Sequence, residues 1–123
     1  MLNRQQQFGK RSEHLAVEYL QRTGYRILET NYRSAVGEID IIATEKGSIV
    51  FVEVKARSSN RFGSPKSAVT LAKQRKISMV ALDYLKRAGQ TQARARFDVV
   101  AIDTAAGKIA IEVVKNAFAL AYG

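Results

Sequence analysis

A chain of 123 residues with 46% apolar and 25% charged residues has the composition of one folded domain, residues 1–123, rather than of a disordered or fibrous segment. It holds no cysteine, which excludes disulfide frameworks, thiolate zinc sites and thiol nucleophiles, so any metal is expected on oxygen ligands. The net charge is +9, the N-terminus has no apolar stretch of signal-peptide length, and no run approaches the ~20 apolar residues that cross a bilayer; a cytoplasmic protein without a membrane partner is expected.

A first helix is predicted from about Phe8 to Arg22, with Gly24 as its stop signal. Leu15, Ala16, Tyr19 and Leu20 form its apolar stripe, and Arg11, Glu18 and Arg22 the opposite side. Glu13 breaks that order: at 100° per residue it falls within about 20° of Leu20, on the inward side. Three strand-like runs follow, Tyr25 to Asn31, Glu38 to Thr44 and Ile49 to Arg57, punctuated by Gly37 and the Glu45-Lys46-Gly47 turn; the last two read as a hairpin. A polar loop from Ser58 to Ser64 leads past Pro65 into a second helix centred on Ala72 to Ala88. Its stripe of Ile77, Val80, Ala81, Tyr84, Leu85 and Ala88 keeps helical period, and Gly89 ends it. Strands from Arg96 to Asp103 and Lys108 to Val114 close the chain around a turn at Ala106-Gly107. The order α-β-β-β-α-β-β implies an α/β (α+β) fold, a mixed central sheet flanked by helices.

The positive charge is not spread evenly. Between Lys55 and Arg96 lie eleven of the twenty Lys and Arg residues and one acid, Asp83, while the remainder of the chain is close to neutral. A field of this kind suits a polyanion, because displacing counterions from a phosphate backbone supplies affinity independent of sequence. Nucleic acid is the favoured partner, against the plainer reading of a solvated basic face.

The third run, Ile49-Val-Phe-Val-Glu-Val-Lys-Ala-Arg57, has one wholly apolar face, Val50, Val52, Val54 and Ala56; the other begins apolar and ends in Glu53, Lys55 and Arg57. In the run before it, Ile39, Ile41 and Ala43 alternate with Glu38, Asp40 and Ile42, so hairpin pairing would bring Asp40 to Glu53. Charges on strands this apolar cost several kcal/mol each unless paired or metal-bound. A hard divalent cation relieves the repulsion between two carboxylates and leaves room for water and phosphate oxygen, which points to Mg2+ (or Mn2+) on Asp40 and Glu53. Lys55, roughly 6.6 Å further along the same face than Glu53, would orient water and offset charge developing on a phosphate. The competing reading is a rim salt bridge between Glu53 and Lys55 with Asp40 in solvent; a lone E-x-K tripeptide would mean no more, whereas Asp40 with Glu53-Val54-Lys55 on an apolar hairpin is more specific.

These segments carry a resemblance. Gly37-Glu-Ile-Asp-Ile-Ile-Ala43, Val50-Phe-Val-Glu-Val-Lys-Ala-Arg57, Arg96-Phe-Asp-Val-Val100, the helix with Glu13, Ala16 and Leu20, and Gly24-Tyr-Arg-Ile-Leu28 through Asn31-Tyr-Arg33 are similar to the YraN-like family of bacterial proteins. That family resembles archaeal Holliday-junction resolvases within the restriction-endonuclease-like PD-(D/E)xK superfamily. The resemblance implies a nuclease fold with Asp40 and Glu53 as metal ligands, Lys55 as catalytic lysine, Glu13 as the helix carboxylate nearest the metal, and the Val54 carbonyl as a main-chain ligand. The proline of the superfamily's name is absent, since Ile39 precedes Asp40.

Several residues carry two readings. Glu13 suits a ligand, and equally a rim carboxylate bonded to a base. Glu38 suits a second metal, or solvent at the strand entrance. Lys73 and Gln74, at the inward start of the second helix, suit contact with phosphate or water, or ordinary capping. Arg57, Arg61, Lys66, Arg75 and Lys76 are candidates to track a nucleic-acid backbone, which asks only for positive charge. Asp98 is expected to pair with a nearby base, His14 falls on the polar side of its helix with no chemistry assigned, and Tyr32 suits a half-buried site better than base stacking. The leading expectation is a metal-dependent endonuclease acting on DNA; the branched-DNA preference and a homodimer for symmetric junctions rest on family analogy. The alternatives are a nucleic-acid-binding scaffold without efficient cleavage and a hydrolase for a small phosphorylated substrate, the last disfavoured by the absence of a glycine-rich phosphate loop.

Overall fold

The computed structural model describes residues 3–57, 69–104 and 107–119. The loop from Ser58 to Ser64, Pro65, Arg61, Lys66 and Ala106 therefore lie outside the described residues. Seven elements follow one another: α1 Arg4–Arg22, β1 Arg26–Ser34, β2 Gly37–Glu45, β3 Ser48–Arg57, α2 Leu71–Arg87, β4 Ala95–Asp103 and β5 Ala110–Phe118. The expected α-β-β-β-α-β-β order holds. The sheet is mixed, in the order β1-β2-β3-β4-β5, with β3 and β4 parallel and every other pair antiparallel. The connection that carries α2 joins the two parallel strands, as a parallel pair requires.

Local chemistry explains the helix limits. α1 starts four residues earlier than its apolar stripe predicts, because Asn3 and Gln6 form a capping box: the Asn3 side chain accepts from the Gln6 amide at 2.8 Å and the Gln6 side chain from the Asn3 amide at 3.0 Å. Both helices end in a Schellman motif. Gly24 (φ 103°) and Gly89 (φ 68°) take up the left-handed conformation, and the next amides, Tyr25 and Gln90, donate back to the Leu20 and Leu85 carbonyls at 2.9 and 2.8 Å.

The helices cover opposite faces of the sheet. Ile77, Val80, Ala81 and Leu85 of α2 pack on Ile42, Ile49, Phe51, Phe97 and Val99. Ala16 and Leu20 of α1 pack on Ile41, Ala43, Val50, Val52, Val100 and Ile102. Strand β3 is thus buried on both sides, and its alternation sends Ile49 and Phe51 toward α2 and Val50 and Val52 toward α1. Beneath α1 lies a second polar cluster. Asp98, 0% exposed, accepts from the Tyr25 hydroxyl at 2.8 Å, the Arg96 Nε at 3.0 Å and the Asn116 amide at 3.0 Å, while Arg96 and Lys115 converge on the buried Glu45. The expected pairing of Asp98 with a base is therefore observed. Two strand residues other than glycine have positive φ, Asn31 in β1 and Asn116 in β5, and these are the two edge strands.

Candidate active site

The site forms where β2 leaves β3. Their ladder runs from Glu45↔Ser48 to Ile41↔Val52, and the next step would place Asp40 opposite Glu53. Pairing stops there. The Val54 amide instead donates to Asp40 Oδ2 at 2.8 Å, so a side-chain carboxylate takes the place of a strand carbonyl. Strict alternation also fails at this point, which corrects the sequence reading: Ile39 packs with the α2-side core and Ile41 with the α1-side core, so β2 turns its faces over across Asp40.

Asp40 stands between two other carboxylates. Glu13, half-buried on α1, is pushed up in pKa by burial first and then by the Asp40 charge. The Asn31 amide, oriented with its nitrogen toward Glu13, donates to both carboxylate oxygens at 3.2 Å, which partly offsets that effect. Glu53 is 6% exposed, and burial followed by the Asp40 charge raises its pKa to about 7. Asp40 itself is raised by burial, against the opposing hydrogen bond from Val54.

Two ammonium groups face this acidic group. Lys55 Nζ lies 3.7 Å and Lys73 Nζ 3.4 Å from the same oxygen, Glu53 Oε1. Their stabilisation of the Glu53 carboxylate is outweighed, because the lysine side chains are 32% and 44% exposed and solvent screens them, whereas Glu53 is not hydrated. Asp40, Glu53, Lys55 and Glu13 are thus near neighbours, as expected, with Asp40 as the common member. Among the described residues, no group of three or more His, Cys, Asp and Glu is gathered closely enough to hold a metal ion.

The other candidates divide. Lys73 reaches Glu53. Gln74 does not: its side-chain nitrogen donates to the Val69 carbonyl at 3.0 Å, a capping role at the start of α2. Val54 enters the site through its amide, a contact that the expectation of a ligating carbonyl did not include. Arg57 is held by Asp103 in a two-point pair, Nε to Oδ1 at 2.8 Å and Nη2 to Oδ2 at 3.1 Å, and is only 10% exposed, which leaves its guanidinium little to offer a phosphate. Arg75 and Lys76 are exposed on α2, with no ion pair among the described residues. Arg61 and Lys66 lie outside the described residues. Glu38 is exposed and pairs with Arg33 at 3.2 Å; His14 pairs with Glu18 at 3.0 Å; the Tyr32 hydroxyl donates to Asp83 at 3.1 Å with its ring against Tyr84. Asn31 is the residue that sequence reasoning left without a role. Its signal was an asparagine in a strand, a residue type that tolerates φ near 53° where a β-branched one would not.

Fold and site define an α+β protein whose mixed sheet parts over a buried acidic group with two lysines. Its sequence matches the model of the uncharacterised protein family UPF0102 over residues 12–102. UPF0102 proteins of Desulfosudis oleivorans (50% identity over 96% of this chain and 94% of that protein), Syntrophus aciditrophicus (50%, 94% and 91%) and Geobacter metallireducens (51%, 93% and 93%) are similar along nearly their whole length. The chain belongs to this family, the YraN-like proteins that its motifs resemble. No helix among the described residues is long and apolar enough to cross a membrane.

Proposed function

We propose that this chain is a divalent-metal-dependent endonuclease that hydrolyses phosphodiester bonds in DNA, with branched or junction DNA as the preferred form. The observation that carries the reading is the acidic pair Asp40 and Glu53, held at the end of a hairpin ladder beneath Lys55 and Lys73. A buried Glu53 whose pKa is raised by burial and by the neighbouring Asp40 charge is costly for stability alone and useful where a cation is to be bound. The donor set fits Mg2+ or Mn2+, which commonly take one or two carboxylates and keep several waters, so a group of three acids is not required. Asp40 and Glu53 would hold the ion, with the Val54 carbonyl as main-chain donor and Glu13 behind Asp40. When bound, such an ion supplies Lewis acidity toward phosphate oxygen and water.

The chain's own groups supply the rest. The Val54 amide fixes one Asp40 oxygen. Lys55, whose ammonium lies 3.7 Å from Glu53 Oε1, would offset negative charge developing on a phosphate bound at the acidic pair and would orient a water there. Arg75 and Lys76 neutralise phosphates on the flanking backbone without reading bases. The superfamily resemblance supports the same roles.

A second reading is a nucleic-acid-binding scaffold without cleavage, favoured by the observation that two ammonium groups already lie 3.4 and 3.7 Å from Glu53 Oε1, where a cation would sit. Incubation of linear, flapped and four-way DNA with Mg2+ or Mn2+ separates the two. Under the nuclease reading the wild type yields product only with the metal, fastest on the four-way form, and Asp40→Ala and Lys55→Ala each lower the rate by about 100-fold or more. Equal binding by all three proteins with no metal-dependent product from any would establish the scaffold.

A further inference from the structure

The two lysines on Glu53 Oε1 differ in how they are held. Lys55 shares a strand with Glu53, two residues away on the same face, whereas Lys73 reaches it from another element. Lys73 comes from the first turn of α2, is 44% exposed, and makes its one ion pair among the described residues with Glu53. Its backbone is pinned, the Lys73 amide donating to the Thr70 hydroxyl at 3.2 Å, but four rotatable carbons separate that anchor from the ammonium.

Resting on the reading of Asp40 and Glu53 as a cation seat, we propose that Lys73 is a displaceable counter-cation. Its ammonium occupies Glu53 until a divalent cation takes the same oxygen, and it then swings toward solvent to meet a phosphate of the nucleic acid. An ammonium and a divalent ion cannot share one carboxylate oxygen at contact distance without strong mutual repulsion. Lys73 is the closer of the two ammonium groups to that oxygen, 3.4 Å against 3.7 Å, and the more exposed, 44% against 32%, so it is the one that meets the incoming ion first and has the more open path to solvent. Reciprocity follows: whatever draws Lys73 off Glu53 raises the affinity for the cation, and the cation raises the affinity for phosphate by the same factor. The lysine thus links loading of the seat to the arrival of a polyanion, and it disfavours a charged seat with no substrate at hand.

The test is a titration of the full chain with Mn2+, free ion being read by electron paramagnetic resonance, for wild type, Lys73→Met, Lys73→Arg, Lys86→Met and Asp40→Asn. Lys86 lies in the last turn of α2, so its variant removes the same charge far from the seat. Lys73→Met should bind Mn2+ about fivefold tighter than wild type, the size of one partly exposed ion pair. Lys73→Arg and Lys86→Met should stay near wild type. Binding by Lys73→Met no tighter than wild type, or equal tightening by Lys86→Met, overturns the counter-cation role while leaving the seat intact. If Asp40→Asn retains wild-type Mn2+ affinity, or the wild type binds none, the seat itself is wrong and the proposal falls with it. A second arm uses a short DNA duplex in Ca2+ or in chelator: Ca2+ should strengthen duplex binding by the wild type more than by Lys73→Met, and an equal effect on both would also overturn the proposal.

Discussion

Glu53 shows how the same side chain can weaken the fold and serve the site. Its carboxyl, lifted from 4.5 to about 7 by burial and by Asp40, holds a proton in the folded chain across a range where the unfolded chain has released it. The folded state therefore loses relative stability as pH rises from about 4.5 to about 7, and the full cost is present above that window. Glu53→Gln escapes the cost. In chelator, urea unfolding at pH 8 should find this variant more stable than wild type by on the order of 1 kcal/mol, with the difference gone at pH 4. A variant less stable than wild type at pH 8 would mean that the lysine contacts outweigh burial. Asp98 is the contrasting acid: equally buried, it is surrounded by donors from Tyr25, Arg96 and Asn116, and it belongs to the structure rather than to the chemistry.

At the scale of the elements, α2 matters because its first turn carries Lys73 to Glu53. Thr70 caps that turn, and Thr70→Ala should cost about 1 kcal/mol in urea unfolding, with the native circular dichroism of the folded state retained. No loss of stability would mean that the cap is replaced by solvent. Most elements were legible beforehand because their periods are clear: two for the alternating strands, 3.6 for the helical stripes, and a glycine after each helix. The hairpin that brings Asp40 to Glu53 was legible for the same reason. What escaped depends on irregularity or distance. The early start of α1 depends on a polar cap rather than on apolar period, and the reversal of faces at Asp40 violates the alternation from which the strand was inferred. Arg57 looked available because its partner Asp103 is 46 residues away and meets it only through the parallel register of β3 and β4. Lys73 was placed at an inward helix start, but its contact with Glu53 needed the packing of α2 on the sheet.

Across the whole molecule, the basic excess between Lys55 and Arg96 is divided by the fold. Arg57 and Arg96 are consumed in internal pairs, whereas Arg75 and Lys76 remain on an exposed helical face. Binding to a DNA duplex should weaken linearly in a plot of log affinity against log salt. The Arg75→Ala/Lys76→Ala double variant should reduce the magnitude of that slope by up to about 2, uniformly over unrelated sequences. An unchanged slope would move the contact surface away from this face.

The asparagines at positive φ in β1 and β5 bear on how the sheet ends. An open sheet of five strands has two unpaired margins, and a straight one is a template on which another chain can add a strand. Asn31 and Asn116 break the extended backbone of each margin, so that among the described residues neither border is a uniform run of strand geometry. A margin bent in this way is a poorer template for an added strand than a straight one.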